Sequence, residues 1–262
     1  MSIIEAIILG IIQGLTEFLP VSSSGHIELG KYFLGVETSD NLLFSIIVHG
    51  ATALSTIIVF RKDILIIIKD LFAFDWNEST QFSAKILLSM IPVGIVGILF
   101  EDNIEALFGG QITLVASMLL FTGVLLSITY FAKSTSGTVS FGKSIIIGLA
   151  QAVAIIPGIS RSGSTIATGL LLGIDKEKIT RFSFLMVLPP IIGATLLKVK
   201  DYLEAPEIAS DISVTALSLG FISAFIAGII ACTWMINIVK RGKLIYFAIY
   251  CLVLGTSVLI FQ

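Results

Sequence analysis

Charge is what this sequence has least of. Only 13% of its 262 residues are Asp, Glu, Lys or Arg, and 16 basic side chains nearly balance 18 acidic ones for a net charge of −2, where an average soluble domain is about 25% charged. That balance leaves no basic footprint for nucleic acid and no acidic or basic tail, so no nucleic-acid partner is expected. Cysteine is nearly absent too: Cys232 and Cys251 are the two present, both in apolar runs, which excludes a disulfide framework and makes them small buried hydrophobes. The opening Met1-Ser2-Ile3-Ile4-Glu5 lacks Lys and Arg, so the first apolar stretch is expected to belong to the mature fold rather than to a cleaved signal peptide.

Apolar residues are what the chain has in excess. They make up 56% of it, with a mean hydropathy of +1.03, which excludes disorder and exceeds what a globular core could hide. Several runs approach the roughly 20 residues that cross a bilayer as a helix, and the alternation of a membrane β-barrel is missing. The expected fold is therefore all-α, a polytopic integral membrane protein forming a single membrane domain over 1–262. Six runs read as full spans: 42–60, 86–100 (extendable back to Phe82), 112–132, 182–197, 214–239 and 244–261. Segments 3–35 and 142–173 differ, each being two apolar halves around a Pro/Ser/Gly break. The run from Ile27 to Val36 would reach only about 15 Å as a helix, half the hydrocarbon thickness. Both segments are expected to be re-entrant helical hairpins.

Lys and Arg set the sidedness. Arg61, Lys62, Lys69, Lys85, Lys133, Lys143, Lys176, Lys178, Arg181, Lys240, Arg241 and Lys243 fall on one side, and Lys31, Lys198 and Lys200 on the other. The richer side is expected to be cytoplasmic, with both termini outside. Glu101, Asp102, Glu105, Asp201, Glu204, Glu207 and Asp211 fall on the outer side.

Sliding the sequence against itself by 138 places superposes the two broken segments without a gap. Ile8/Ile146, Gly10/Gly148, Gln13/Gln151, Ser22/Ser160, Ser24/Ser162, Gly25/Gly163, Leu34/Leu172, Gly35/Gly173, Phe44/Phe182 and Ser45/Ser183 coincide. An odd number of spans between the hairpins would deliver the second to the opposite face, so 1–132 and 142–262 are expected to be inverted repeats. Such repeats place broken helices around a polar site near the midplane, so the breaks at 20–26 and 157–165 should meet.

The first break carries Gln13, Glu17, Ser22, Ser23, Ser24, Gly25 and His26; the second carries Ser160, Arg161, Ser162, Gly163, Ser164 and Thr165. An arginine bedded in hydroxyls suits phosphate: the guanidinium fork spans two oxygens, while hydroxyls and the free amides of a half-helix add donors. Gly25 and Gly163 let backbone approach closely. His26 suits proton transfer, and Glu17 could hold a divalent cation or orient the imidazole. A serine in such a break serves helix packing as readily as chemistry, whereas Glu17 and Arg161 at membrane depth point to function. His49 has no comparable neighbours in sequence and is expected to be a packing or supporting residue, and Gln151 a hydrogen-bonding helix residue.

The stretch Gly10-x-x-Gln13-Gly14-x-Thr16-Glu17-Phe18-Leu19-Pro20-Val21-Ser22-Ser23-Ser24-Gly25-His26, with Pro157-Gly158-x-Ser160-Arg161-Ser162-Gly163-x-Thr165, closely resembles the undecaprenyl-diphosphate phosphatase family associated with bacitracin resistance. The likeness extends to Phe182-Ser183-Phe184-Leu185 and Phe247-Ala248-Ile249-Tyr250. The resemblance implies a hydrolase of the cytoplasmic (inner) membrane, open to the outer face, that converts a C55 polyprenyl diphosphate to the monophosphate and recycles the carrier lipid for cell-wall synthesis. It implies Glu17, Ser23, His26 and Arg161 as catalytic residues and a divalent cation, Mg²⁺ or Ca²⁺, at Glu17. Phosphate binding would fall to Ser22, Ser24, Gly25, Ser160, Ser162, Gly163 and Thr165, with Gln13 supporting. Many members have a second Glu where this chain has Gln13, and an amide is a weaker metal ligand. Two chemical routes stay open: attack by Ser23 with His26 taking its proton, or attack by a water held by Glu17 and His26. A polyprenyl-phosphate flippase or transporter using the same site is the alternative from another class. A homo-oligomer is compatible with the sequence.

Overall fold

A backbone among lipids has no water to bond, so an apolar chain closes its hydrogen bonds within helices. The computed structural model describes residues 1–36, 41–107, 109–132, 135–204, 212–241 and 244–262. Lys133, Glu207, Asp211 and Lys243, used above for sidedness, lie outside the described residues. Among those described, the helices are α1 (Ile3–Phe18), α2 (Ser23–Leu34), α3 (Asn41–Val59), α4 (Arg61–Leu71), α5 (Glu78–Leu99), α6 (Glu101–Leu107), α7 (Ile112–Ile128), α8 (Phe141–Val153), α9 (Arg161–Leu171), α10 (Lys176–Leu185), α11 (Leu188–Glu204), α12 (Val214–Lys240) and α13 (Ile245–Phe261). The fold is all-α and polytopic. Among the described residues the only extended pairing is one bridge between Gly137 and Ile174.

Among the described residues, four stretches are long and apolar enough to cross a membrane: Glu78–Leu99, Ile112–Phe131, Lys176–Leu197 and Val214–Val239. Leu43–Val59 is apolar too, but the chain bends by 79° where it passes into Arg61–Leu71, so the two do not form one straight span. The expected span 86–100 begins eight residues earlier, because the Asn77 side chain accepts the Thr80 amide at 2.9 Å and caps α5. The expected span 182–197 begins at Lys176, capped by Asp175, and is interrupted between Leu185 and Leu188 just ahead of Pro189 and Pro190. Prolines there fit the first turn of α11, where an amide would lack a partner anyway.

Helix α4 has no counterpart in the hydropathy reading. It buries no residue; Leu65, Ile66, Ile68 and Leu71 are exposed beside Arg61, Lys62 and Lys69. That is the pattern of a helix lying in the membrane–water boundary. Nearby, Arg181 pairs with Asp63 at 2.8 Å and lies over the Phe82 ring, Trp76 stacks on Phe141, and Lys85 lies over the same ring. A mixed belt of aromatics and cations is what an interface accommodates.

Small residues set the packing. Helix α1 lies against α12, and an added Cβ at Gly14 would come within 2.7 Å of Ala227 Cβ and 2.8 Å of the Gly228 amide, so the backbones touch. Helix α8 meets α5 in the same way, Gly148 against the Ser89 backbone. Each broken hairpin thus leans on a long helix from the other half of the chain. Helices α7 and α13 pair with each other, as do α3 and α11. The largest apolar cluster centres on Phe18, Ile147, Phe182, Phe184, Met186 and Met235, and a second joins Leu9, Phe44 and Val48.

Candidate active site

Helix α1 stops at Phe18 because the residue before Pro20 is driven out of the helical region, and Leu19 is extended. Helix α2 starts again three residues beyond Pro20, its first turn closed by the Ser22 hydroxyl accepting the Gly25 amide at 3.2 Å. In the second break the Ser160 hydroxyl accepts the Gly163 amide at 3.0 Å in the same fashion. Both short helices end on a left-handed glycine, Gly35 at φ 66° and Gly173 at φ 72°. The breaks differ in one respect. Ser22 itself takes φ 71° and ψ 96°, outside the regions comfortable for a side chain, while in the second break Gly158 carries the positive φ.

The two breaks meet. The Ser162 hydroxyl donates to the Leu19 carbonyl at 3.2 Å, and a Cβ on Gly25 would stand 3.0 Å from Gly158 Cα. Thr122 of α7 pins the second break from behind, donating to the Gly158 carbonyl and accepting the Ser160 amide, both at 3.0 Å.

At this junction the carboxylate of Glu17, 8% exposed, is fully engaged. Oε1 pairs with Nη2 of Arg161, while Oε2 accepts the Ser23 hydroxyl at 2.6 Å and the Gln13 amide at 3.0 Å. Arg161 also donates from Nη1 to the Ser183 carbonyl at 3.3 Å, and the Ser183 hydroxyl bonds Thr165 at 2.7 Å. The buried carboxylate needs the partly buried guanidinium beside it, since desolvating a charge alone costs several kcal/mol, by a rough general figure. Ser23 and Arg161 are thus brought together, one on each oxygen of Glu17.

His26 goes elsewhere. Its Nδ1 donates to the Ser22 carbonyl at 2.8 Å, so the neutral ring presents Nε2 as acceptor to the Tyr250 hydroxyl at 2.7 Å, with the two rings stacked at 5.6 Å. Neither nitrogen is turned to Ser23. Another histidine faces Glu17: His49 on α3, with Nε2 3.9 Å from Oε2 and Nδ1 donating to the Ser45 carbonyl at 2.7 Å. The sequence reading left His49 in a supporting role, held Ser183 and Tyr250 in matching runs without giving either a role, and did not single out Thr122. One signal was available for His49, an ionisable group at membrane depth.

The remaining hydroxyls pair among themselves, Ser22 with Ser24 and Ser160 with Ser162, each at 3.3 Å. They surround the junction as neutral donors without a partner of opposite charge. A hard cation seeks several oxygen ligands. Here both oxygens of Glu17 are taken, one by a guanidinium, Gln13 stands where a second carboxylate would help, and the described residues contain no cluster of three His, Cys, Asp or Glu that could hold a metal. This donor set does not fit Mg²⁺ or Ca²⁺.

Fold and site together define a polytopic helical membrane protein with an ion-paired polar centre between two broken helices. The model of the family "Bacitracin resistance protein BacA" matches residues 6–257, and the chain belongs to that family. It is 56% identical to an "Undecaprenyl-diphosphatase" of Christiangramia forsetii over 100% of this chain and 98% of the relative. It is 53% identical to one of Bacteroides fragilis, over 98% and 97%. A relative of the same description, from Methanobrevibacter smithii, is 39% identical over 98% and 97%.

Proposed function

We propose that this chain is an undecaprenyl-diphosphate phosphatase: it cleaves the anhydride of the C55 lipid diphosphate, releases inorganic phosphate and returns the monophosphate for further rounds of cell-wall synthesis. The observation that carries the reading is the Glu17–Arg161–Ser23 cluster at the junction of the breaks, in a chain 56% identical end to end to a relative described as that enzyme. The relatives give no support to a flippase.

The chain's own residues supply the following chemistry. An incoming diphosphate competes for the Arg161 fork, which matches two phosphate oxygens, and so separates Arg161 from Glu17. Glu17 Oε2, already accepting the Ser23 hydroxyl, takes its proton. Ser23 Oγ bonds the terminal phosphorus, the bridging P–O bond breaks, and its electron pair leaves with the lipid monophosphate. Water then hydrolyses the phosphoserine. A water molecule in place of Ser23 Oγ gives the same products in one step. Ser22, Ser24, Ser160, Ser162 and Thr165, with the amides of Gly25 and Gly163, donate to the remaining oxygens. His26, held by Ser22 and Tyr250, faces the substrate from the side of α13 rather than serving Ser23.

The inverted relation of 1–132 and 142–262 belongs to this proposal, supported by the matched Ser22/Ser160 caps, the left-handed Gly35/Gly173 pair and the reciprocal α1–α12 and α5–α8 packing. So does a placement in the cytoplasmic membrane with the junction open to the outer face. A divalent cation, if required, would arrive as the counter-ion of the diphosphate. The experiment is phosphate release from undecaprenyl diphosphate by purified protein in detergent, with and without chelator. Release is expected; its absence from folded protein under every cation condition refutes the reading.

A further inference from the structure

Beside the junction lies a cavity of about 280 Å³ between α3, α5, α8 and α11. Its polar lining is Arg161, His49, Gln151 and Thr195, and the rest is apolar, including Val93, Ala154 and Ile191. Gln151 is 4% exposed, and its Oε1 has no hydrogen-bond partner among the described residues. Native proteins leave a buried acceptor unpaired rarely, and chiefly where a ligand or an ordered water completes it. Phosphate chemistry supplies the complement: one side of the amide donates to a P–O⁻ oxygen, and the other accepts from a P–OH or an accompanying water.

The rim shows where the ligand comes from. Ala194 at the edge is exposed, and Ile91 and Ile95 on α5 and Ile192 and Leu196 on α11 are exposed beside it. Such a surface belongs against acyl chains, so the mouth faces the bilayer rather than water. The volume is just under the roughly 300–1,000 Å³ of ordinary small-molecule sites, enough for a head group and the start of a chain and far too little for a whole C55 tail.

We propose that this cavity receives the substrate laterally from the membrane: Gln151 binds the diphosphate beside Arg161, and the apolar wall formed by Val93, Ala154 and Ile191 holds the first isoprene units. This rests on the phosphatase reading and adds the route and the residue that recognise the lipid. Gln151 becomes a substrate-binding residue, paired through the repeat with Gln13, which holds Glu17.

The test uses purified full-length protein and two non-hydrolysable probes, farnesyl methylenediphosphonate and tail-less methylenediphosphonate. Val93→Phe is expected to weaken the farnesyl probe about tenfold, equivalent to about 1.4 kcal/mol, and to leave the tail-less probe within about twofold of wild type. Gln151→Leu is expected to weaken both about tenfold. Wild-type affinity for the farnesyl probe in both variants overturns the proposal. Because a bulky substitution can disturb folding, wild type is also photolabelled with a probe bearing a diazirine on its first isoprene unit. Labelling of Val93, Ile191 or Ala194 is expected, and labelling confined to α7 and α13 overturns the proposal. Binding is read without turnover, so a wild type that binds here yet releases no phosphate refutes the phosphatase reading alone. One that turns over with unchanged binding in both variants refutes this inference alone.

Discussion

Glu17 on α1 and Arg161 on α9, 144 residues apart, form an ion pair, the carboxylate buried and the guanidinium partly so, at the point where two interrupted helices touch. The pair holds the resting site together, and in the proposed mechanism it is the contact that a diphosphate exchanges, because the ligand offers the guanidinium the same geometry with more charge. Removing one partner of such a pair strands the other at a cost of about 3–5 kcal/mol.

Arg161→Lys keeps the charge and loses the planar fork. One charge-assisted hydrogen bond is worth about 1.5–3 kcal/mol, so kcat/KM on the lipid diphosphate should fall by at least about tenfold. Turnover near wild type in steady-state assays would show that the two-oxygen clamp is wrong.

Ser23→Ala separates the chemical routes. If Ser23 is the nucleophile, phosphate release stops while the non-hydrolysable diphosphate still binds. A water route loses only one hydrogen bond, a fall of roughly 10²–10³ in rate. Rapid quench of wild type with labelled substrate should trap phosphoserine at Ser23, and residual activity without a trapped species would exclude the covalent route.

Glu17→Gln bears on the cation. Because the proposed route uses Glu17 on the Ser23 proton and not as a cation ligand, the concentration of Mg²⁺ or Ca²⁺ giving half-maximal activity should be unchanged even though the rate collapses. A large rise in that concentration would make Glu17 a direct ligand after all.

The α1–α12 contact predicts a stability effect away from the chemistry. Gly14→Val would drive a side chain into Ala227 and the Gly228 backbone and should destabilise by about 1–3 kcal/mol. Gly94→Ala is the control: its Cβ meets nothing within 4 Å, and it should be neutral or stabilising by about 0.5–1 kcal/mol. Thermal unfolding in detergent compares them; equal melting points would refute the close approach.

Sidedness is checked with a fusion. Alkaline phosphatase joined after Gln262 should be active, since the charge bias predicts both termini outside. A silent fusion, with a cytoplasmic reporter fluorescing at the same point, reverses the topology.

Much was legible in the sequence alone because it depends on near neighbours in the chain. Apolar length determined the helices, Pro20 and Pro157 marked the breaks, and Glu17 and Arg161 stood out because a charge at membrane depth needs a reason. Even the unusual carbonyls lay inside the repeat: Ser45 and Ser183 align at the 138-residue offset, and each accepts a cationic or titratable side chain, His49 and Arg161. Helix α4 escaped hydropathy because its charges interrupt the apolar run while a bend of 79° lets both persist.

What only the tertiary structure decided is which side chain faces which. Sequence spacing put Ser23 three residues from His26 and suggested a pair; in the fold the imidazole folds back on the Ser22 carbonyl and reaches Tyr250, 224 residues away, leaving the Ser23 proton to Glu17. His49 entered the site, and Gln151 came to line a cavity, for the same reason. Periodicity assigns a residue to a helix face, but a hydrogen bond spans only about 3 Å. Meeting that tolerance across five helices depends on how closely small residues such as Gly14, Gly25 and Gly148 let backbones approach, and no local pattern encodes it.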